Sequence, residues 1–176
     1  MIQTELPAVP AALAARGVTL RHRRDEDADF LRDVYVAYRW GELAATGWPL
    51  EQRLAFLHDQ YRMQDLHYRT HYDGAAWAVI EVAGERAGRL FLLNAGADLR
   101  IVDIAFMPQF CGHGYGGGLI AAVMEQARHL GVGKVSIHVE QTNPAQRLYR
   151  RLGFEQVATN GVYHLLEWPV PSVAAA

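Results

Sequence analysis

The stretch Gln109-Phe-Cys-Gly112-His-Gly114-Tyr-Gly116-Gly117-Gly118 decides how the rest of the chain is interpreted. It places five glycines between a predicted strand, which ends at Pro108, and a predicted helix. Glycines let the backbone curl so that successive N–H groups point at one spot, and the positive end of the helix dipole lies there too. The stretch therefore predicts a phosphate or diphosphate site. An ordinary surface loop would carry the entropic cost of five glycines without a reason.

Outward from this loop, hydrophobic periodicity predicts seven strands. They are predicted at Val18–Arg23, Trp77–Val82, Gly88–Leu93, Leu99–Met107, Val135–Val139, Phe154–Ala158 and Val162–Trp168. Helices are predicted from a cap at Asp25, from Leu50 to Tyr68, from Leu119 to Leu130, and between Asn143 and Gly153. A run of four strands, one strand–helix–strand crossover and two further strands favour an α/β (α+β) fold. We expect a mixed, mostly antiparallel central sheet with helices on both faces.

The length and the amino-acid composition are typical of a single-domain globular protein. The 176 residues suffice for one domain with a sizeable core. We predict an N-terminal extension over residues 1–17, a domain over 18–169 and a C-terminal tail over 170–176. Seventeen basic and nineteen acidic residues argue against a nucleic-acid binder, and no apolar run approaches the length needed to span a bilayer. The single cysteine, Cys111, fits a cytoplasmic protein.

One class of protein with such a loop binds dinucleotides. Gly112, Gly114 and Gly117 satisfy G-x-G-x-x-G, and Glu140 ends the next strand, where an acid could bind a ribose. The context disfavours this interpretation. Pro108-Gln-Phe-Cys separates the strand from the first glycine, whereas a dinucleotide-binding loop follows its strand at once. The chain after Glu140 is also too short for further parallel crossovers.

A second class binds acyl-coenzyme A, and here the chain resembles a family. Gln109-x-x-Gly112-x-Gly114 matches the diphosphate signature Q/R-x-x-G-x-G/A of the GNAT N-acetyltransferase superfamily. Asn143-Pro-Ala-Gln-Arg-Leu-Tyr149-Arg-Arg-Leu-Gly153-Phe154 resembles its second signature, about N-x-x-A-x-x-L-Y-x-x-x-G-F, with one residue fewer between the asparagine and the alanine. The resemblance covers about residues 74–168 and implies a single-domain GNAT-like fold with acetyl-CoA as cosubstrate and no metal. Cys111 and Tyr115 depart from the usual pattern, which has a basic and a branched aliphatic residue there.

The resemblance also implies which residues bind the coenzyme. A backbone N–H from about Ala105 or Phe106 would stabilise the carbonyl oxygen, Asn143 would contact the coenzyme, and Tyr149 would protonate the departing sulfur. From spacing alone, Tyr149 is equally a core residue of a helical stripe. The full predicted set of coenzyme-binding residues is Ala105, Phe106, Gln109, Cys111, Gly112, His113, Gly114, Tyr115, Gly116, Gly117, Asn143 and Tyr149.

The residue that deprotonates the amine is left open between His138 and Asp103. His138 alternates with aliphatic residues on its strand and titrates near neutral pH. Asp103 interrupts an apolar strand, where a bare carboxylate is costly. His138 could instead be a hydrogen-bonded sheet residue, and Asp103 could form an ion pair with Arg100 or Arg89. Glu140 is a weaker candidate.

The acceptor is predicted to be a small-molecule or peptide primary amine that attacks the thioester directly. We expect no nucleic-acid or membrane partner and leave a homodimer open. Two other functions remain at this stage: a non-catalytic acyl-CoA-binding module and, less favoured, a nicotinamide-dependent oxidoreductase. His67 and His71 lie four residues apart on a predicted helix, as metal ligands can, but no accompanying carboxylate completes such a motif.

Overall fold

The computed structural model describes residues 2–172, and its centre is one seven-stranded sheet in the order β1-β2-β3-β4-β5-β7-β6. The strands are β1 (Val18–His22), β2 (Ala76–Val82), β3 (Glu85–Asn94), β4 (Asp98–Phe106), β5 (Lys134–Glu140), β6 (Glu155–Asn160) and β7 (Tyr163–Pro169). Only β4 and β5 pair in parallel, and every other neighbouring pair is antiparallel. The mixed, mostly antiparallel sheet predicted from periodicity is therefore confirmed. A doubly wound dinucleotide-binding fold, which needs a run of parallel strands, is not present in residues 2–172.

Helices cover both faces of the sheet. They are α1 (Ala11–Ala14), α2 (Ala28–Arg39), α3 (Leu50–His71), α4 (Tyr115–Leu130) and α5 (Gln146–Arg151). The larger core joins α1 and α4 to one face, and a second apolar cluster joins α2 and α3 to the other. Within residues 2–172, no helix combines the length and the apolar character needed to cross a bilayer.

The start of α2 differs from its prediction. Asp25 opens a 3₁₀ turn over Asp25–Asp27 instead of capping the helix, and the α-helix begins at Ala28. Asp27 is the fully buried acid of this turn, and its carboxylate accepts the Arg24 backbone N–H at 2.9 Å. Arg21 pairs with the same carboxylate at 2.7 Å and holds the pKa of Asp27 well below its usual range. Asp27, and not Asp25, therefore supplies the carboxylate that caps this turn.

A bulge in β4 opens the sheet. Phe91 faces Asp103 and Leu92 faces Ile101 across the β3–β4 ladder, so Val102 is an extra residue on β4. Such a bulge bends its strand and increases the local twist. The parallel β4–β5 ladder ends at Ile101 and Ile137, although both strands continue. The two strands therefore diverge beyond this pair, and the gap between them lies near the sheet centre.

The N-terminal segment packs against the sheet and α4. Thr4 is buried, its backbone N–H donates to the Gly74 carbonyl at 2.9 Å, and its hydroxyl accepts the Asn94 N–H at 2.8 Å. Leu13 of α1 is buried against α4, where a Cβ on Gly118 would approach a Leu13 methyl to 2.7 Å. The predicted boundaries at residues 17 and 169 stay predictions. The tail assigned to 170–176 lies largely outside the described residues.

Candidate active site

Two cavities meet in the gap between β4 and β5. The first, which we call the tyrosine cavity, has a volume of about 110 Å³ and contains Asp103, His138 and Glu140 in its wall. The second, the glycine-loop cleft, measures about 490 Å³ and runs along β4 to the loop before α4. Four residues line both: Tyr38, Ile104, Asn143 and Tyr149. A long ligand in the cleft would therefore meet a second ligand in the cavity at these four residues.

The glycine loop has the shape of an anion-binding site. Gly112 and Gly114 have φ angles of +78° and +80°, a conformation that glycine adopts without strain, and a Cβ on either would enter open space. Gly114 is the N-cap of α4 and no side chain caps this end. The first intrahelical bond runs from Gly118 N–H to Gly114 C=O, so the N–H groups of the preceding turn have no intrahelical acceptor. These donors, with the helix dipole, favour a negatively charged ligand.

The cleft gathers most of the predicted coenzyme-binding residues. Ten of the twelve line it: Ala105, Phe106, Cys111, Gly112, Gly114, Tyr115, Gly116, Gly117, Asn143 and Tyr149. Gln109 and His113 are exposed and lie outside its lining. Position 117 favours glycine because the backbone there lies close to the Leu148 side chain, and a Cβ would lie 3.2 Å from it. The second signature thus packs on the first and completes the wall of the cleft.

The exposed edge of β4 supplies backbone donors. Met107 N–H donates to the Ala87 carbonyl at 2.8 Å, so Met107 faces β3. The direction of the backbone N–H and C=O groups alternates from residue to residue along an antiparallel strand. The backbone groups of Ala105 therefore also point at β3, whereas those of Ile104 and Phe106 point into the gap between β4 and β5. Because the β4–β5 ladder has already ended, the backbone groups of these two residues have no partner on β5.

Tyr149 lies at the junction of the two cavities. Its side chain is buried, with its ring packed edge-on against Phe154 at 5.5 Å between centroids. Burial raises the pKa of the Tyr149 hydroxyl well above its usual range, and the negative charge of Asp103 adds to the effect. The hydroxyl therefore keeps its proton at every physiological pH.

The two candidate bases have different surroundings. Asp103 forms an ion pair with Arg89, a buried residue whose guanidinium also donates to Gln64 at 3.2 Å. His138 is exposed in the wall of the cavity, and desolvation together with Arg100 lowers its pKa below the usual 6.5. The sequence left the ion-pair partner of Asp103 open between Arg100 and Arg89, and in the structure the partner is Arg89. Glu140 has a similar one, with Arg39 at 2.8 Å.

Asn143 has structural partners at the junction. Its side-chain carbonyl accepts the Ala145 N–H at 2.9 Å and so orders the turn before α5. Its side-chain amide donates to the Tyr38 hydroxyl at 3.0 Å. This second bond links α2 to the turn before α5 across the mouth of the cleft.

His67 and His71 contact each other on α3. Their rings stack at 4.3 Å between centroids, and His71 Nδ1 lies 2.9 Å from the His67 carbonyl oxygen. No group of three or more metal-ligating side chains occurs in the part of the chain that the structure describes.

Comparison with known proteins shows the family of the chain. A family model described as "Acetyltransferase (GNAT) family" matches residues 37–154. The chain belongs to the GNAT acetyltransferase family. The match spans the cleft, the glycine loop and Tyr149. Among curated proteins, no sequence matches the chain significantly.

Solved GNAT structures share the fold. The PaiA N-acetyltransferase from Thermoplasma acidophilum, in complex with coenzyme A, has a TM-score of 0.66 at 16% identity over 86% of this chain and 98% of that one. The ribosomal-protein-S18-alanine N-acetyltransferase from Escherichia coli has a TM-score of 0.60 at 15% identity, covering 89% and 96%. The spermidine/spermine N-acetyltransferase SpeG from Vibrio cholerae has a TM-score of 0.56 at 21% identity, covering 87% and 95%. The single-domain GNAT-like fold is therefore confirmed, and the fold is common to proteins named for different acceptors.

Sequence reasoning missed part of this GNAT site. Tyr38, on α2, is 47% exposed and lines both cavities. Arg89 and Gln64 line the tyrosine cavity from β3 and α3. Arg151 lines the glycine-loop cleft from the end of α5. No local pattern marks these residues, because each is placed by contacts between elements far apart in sequence.

Proposed function

We propose that the protein is an acetyl-CoA-dependent N-acetyltransferase that transfers the acetyl group directly to a primary amine. One observation carries the proposal: the glycine-loop cleft and the tyrosine cavity meet at Tyr149. Acetyl-CoA in the cleft would place its diphosphate on the loop N–H groups and its thioester at the junction. The amine would enter from the tyrosine cavity, on the other side of the junction.

Ile104 fits the role of oxyanion donor better than Ala105 or Phe106. Ala105 directs its N–H at β3, and Phe106 lines only the cleft. Ile104 faces the gap and lines both cavities. Its N–H would stabilise the negative charge that forms on the carbonyl oxygen when the amine attacks. The Phe106 N–H would then hold the pantetheine arm.

The transfer needs two proton movements. The amine nitrogen forms a bond to the thioester carbon and loses a proton, and the carbon–sulfur bond then breaks and the sulfur gains one. Tyr149, which keeps its proton, would supply the second. Its raised pKa does not oppose this step, because the same lack of solvent in the cleft raises the proton affinity of the thiolate.

His138 fits the role of base better than Asp103. A carboxylate bound to a guanidinium is a weak proton acceptor, and Asp103 has Arg89 as its partner. His138 is neutral at pH 7 because its pKa is lowered, and it lines the cavity through which the amine would arrive. An amine of pKa about 10.4 is protonated at pH 7, so a nearby acceptor makes its reactive form accessible.

His138→Ala should remove the acidic limb of the kcat/KM profile. In the wild type, this limb should lie below pH 6.5, since the pKa of His138 is lowered from that value. Asp103→Asn should keep the limb but lower the free energy of unfolding by about 3 kcal/mol, because it leaves the buried Arg89 without its partner. The pH profiles and denaturant titrations of both variants check this. A His138→Ala profile with an intact acidic limb would exclude His138 as the base.

Cys111 should react with iodoacetamide, and acetyl-CoA should slow that reaction. Its side chain is exposed and lines the cleft beside the loop N–H groups. A bound diphosphate would cover the Cys111 sulfur and keep the reagent away from it. Cys111→Ser should retain most of the activity, because the loop and the thioester lie at opposite ends of the pantetheine arm. An inactive serine variant together with an acetyl group trapped on Cys111 would instead indicate a covalent intermediate.

The proposed activity is tested by mass analysis of an amine panel incubated with acetyl-CoA. The panel should include simple monoamines, polyamines, free amino acids and peptides with a free N-terminus. Acetylation of any member, lost in Tyr149→Phe, would support the enzyme. Coenzyme binding without transfer to any member would favour a non-catalytic acyl-CoA-binding module.

A further inference from the structure

The glycine loop has no positive charge of its own. Residues 109–118 contain neither lysine nor arginine. Acetyl-CoA carries a diphosphate and a 3′-phosphate, and backbone N–H groups offer such a ligand only partial charges. Phosphates in proteins are commonly bound by a guanidinium as well as by N–H groups.

Arg16, from the segment after α1, lies against the loop. Its Nη2 donates to the His113 carbonyl at 2.9 Å. Its guanidinium carbon lies 4.5 Å from the centroid of the Tyr115 ring, which lines the glycine-loop cleft. Two contacts thus hold one cation at the position in the fold where the loop turns into α4.

Arg16 differs from most arginines of this protein in having no carboxylate partner among the described residues. Most other arginines form ion pairs, for example Arg21 with Asp27 and Arg39 with Glu140. Within residues 2–172, Arg16 forms no ion pair with an acidic side chain. Arg151 of α5, which lines the cleft, likewise forms none there. One cation without a carboxylate partner therefore lines the cleft, and a second, Arg16, lies on its Tyr115 wall, in a protein whose formal net charge is −2.

The packing of the N-terminal segment keeps Arg16 in place. Leu13, three residues before Arg16, is buried on the α4 backbone at Gly118. Gln126 of α4 donates to the Glu5 carbonyl at 2.8 Å and fixes the segment further upstream. The segment is thus attached to the same helix whose N-terminus faces the cleft.

We propose that Arg16 is a coenzyme-binding residue, which makes the N-terminal segment part of the acetyl-CoA site. The guanidinium supplies the full positive charge that the glycine loop lacks and attracts the coenzyme phosphates. The inference rests on the proposed function, since it takes coenzyme A as the ligand of the cleft.

Calorimetric titration with coenzyme A tests this role. Arg16→Met keeps an apolar side chain over Tyr115 and removes the charge, and it should weaken the Kd about 10-fold, as expected for loss of one charge-assisted contact. Arg16→Lys should stay within about threefold of the wild type, because it keeps the charge. Arg62→Met is the matched control, since Arg62 is 80% exposed on α3 and pairs with Asp59, and it should leave the Kd unchanged.

A second ligand separates a phosphate contact from a general disturbance. Transfer from S-acetylpantetheine, which has no phosphate, should proceed with the same KM in the wild type and in Arg16→Met. An unchanged Kd for coenzyme A in Arg16→Met would overturn the inference. A Kd for coenzyme A that is weakened as much in Arg16→Lys as in Arg16→Met would also overturn it, because Arg16 would then act by holding the conformation of the loop and not by its charge. A wild type that fails to bind coenzyme A would refute the proposed function itself.

Discussion

Tyr149→Phe should lower kcat by roughly 10²–10⁴-fold, the usual contribution of a general acid. The KM for acetyl-CoA should change little, because the ring and its packing on Phe154 remain. Without the hydroxyl, the sulfur loses its proton donor at the junction and must leave as a thiolate. Steady-state kinetics with the best acceptor of the amine panel measures the loss.

Tyr35→Phe is the control for this substitution. Tyr35 is also buried and lines the tyrosine cavity, but it does not line the glycine-loop cleft. Its loss of a hydroxyl should change kcat by less than about threefold, since it contributes no proton to the sulfur. Near-normal turnover in Tyr149→Phe would return Tyr149 to an ordinary core tyrosine of the helical stripe.

Gly114→Val should raise the KM for acetyl-CoA by at least about 100-fold. The Cβ of residue 114 would enter open space beside the loop N–H groups, which is the space that a diphosphate would fill. Losing two charge-assisted hydrogen bonds of about 1.5 kcal/mol each accounts for this size. Initial rates at varied acetyl-CoA, together with direct titration of coenzyme A, check the change.

Backbone strain has to be separated from this effect. Gly114 has a φ of +80°, and valine is strained there whatever the space around it. Gly84, in the β2–β3 turn, has a φ of +81° and is equally open, so Gly84→Val carries the same strain away from the cleft. Gly84→Val should lower the thermal stability and leave the affinity for coenzyme A unchanged. Unchanged coenzyme affinity in a folded Gly114→Val protein would contradict the assignment of the loop.

Local patterns were sufficient to predict the sheet and the loop. Alternation of apolar residues marks each strand, for example Val135, Ile137 and Val139 in β5, all of which are buried. The glycines of the loop are equally local signals, because a positive φ at Gly112 and Gly114 demands that residue type. These features depend on neighbours within a few positions of the chain.

The opening of the site could not be predicted in the same way. It depends on the extra residue Val102, whose position in the register is visible only once β3 and β4 are paired. The bond between Asn143 and Tyr38 joins residues of α2 and the turn before α5, far apart in sequence. Arg16 reaches the glycine loop only because Leu13 packs on Gly118. Tertiary contacts set all three, and no periodicity encodes them.

The position of bound coenzyme A in a crystal structure decides whether the glycine-loop cleft is the coenzyme site. We expect the diphosphate on the N–H groups of residues 112–117, the pantetheine arm along β4 beside Phe106, and the thiol sulfur within hydrogen-bonding distance of the Tyr149 hydroxyl. Coenzyme bound outside the glycine-loop cleft, or a sulfur that lies far from Tyr149 and Ile104, would contradict it.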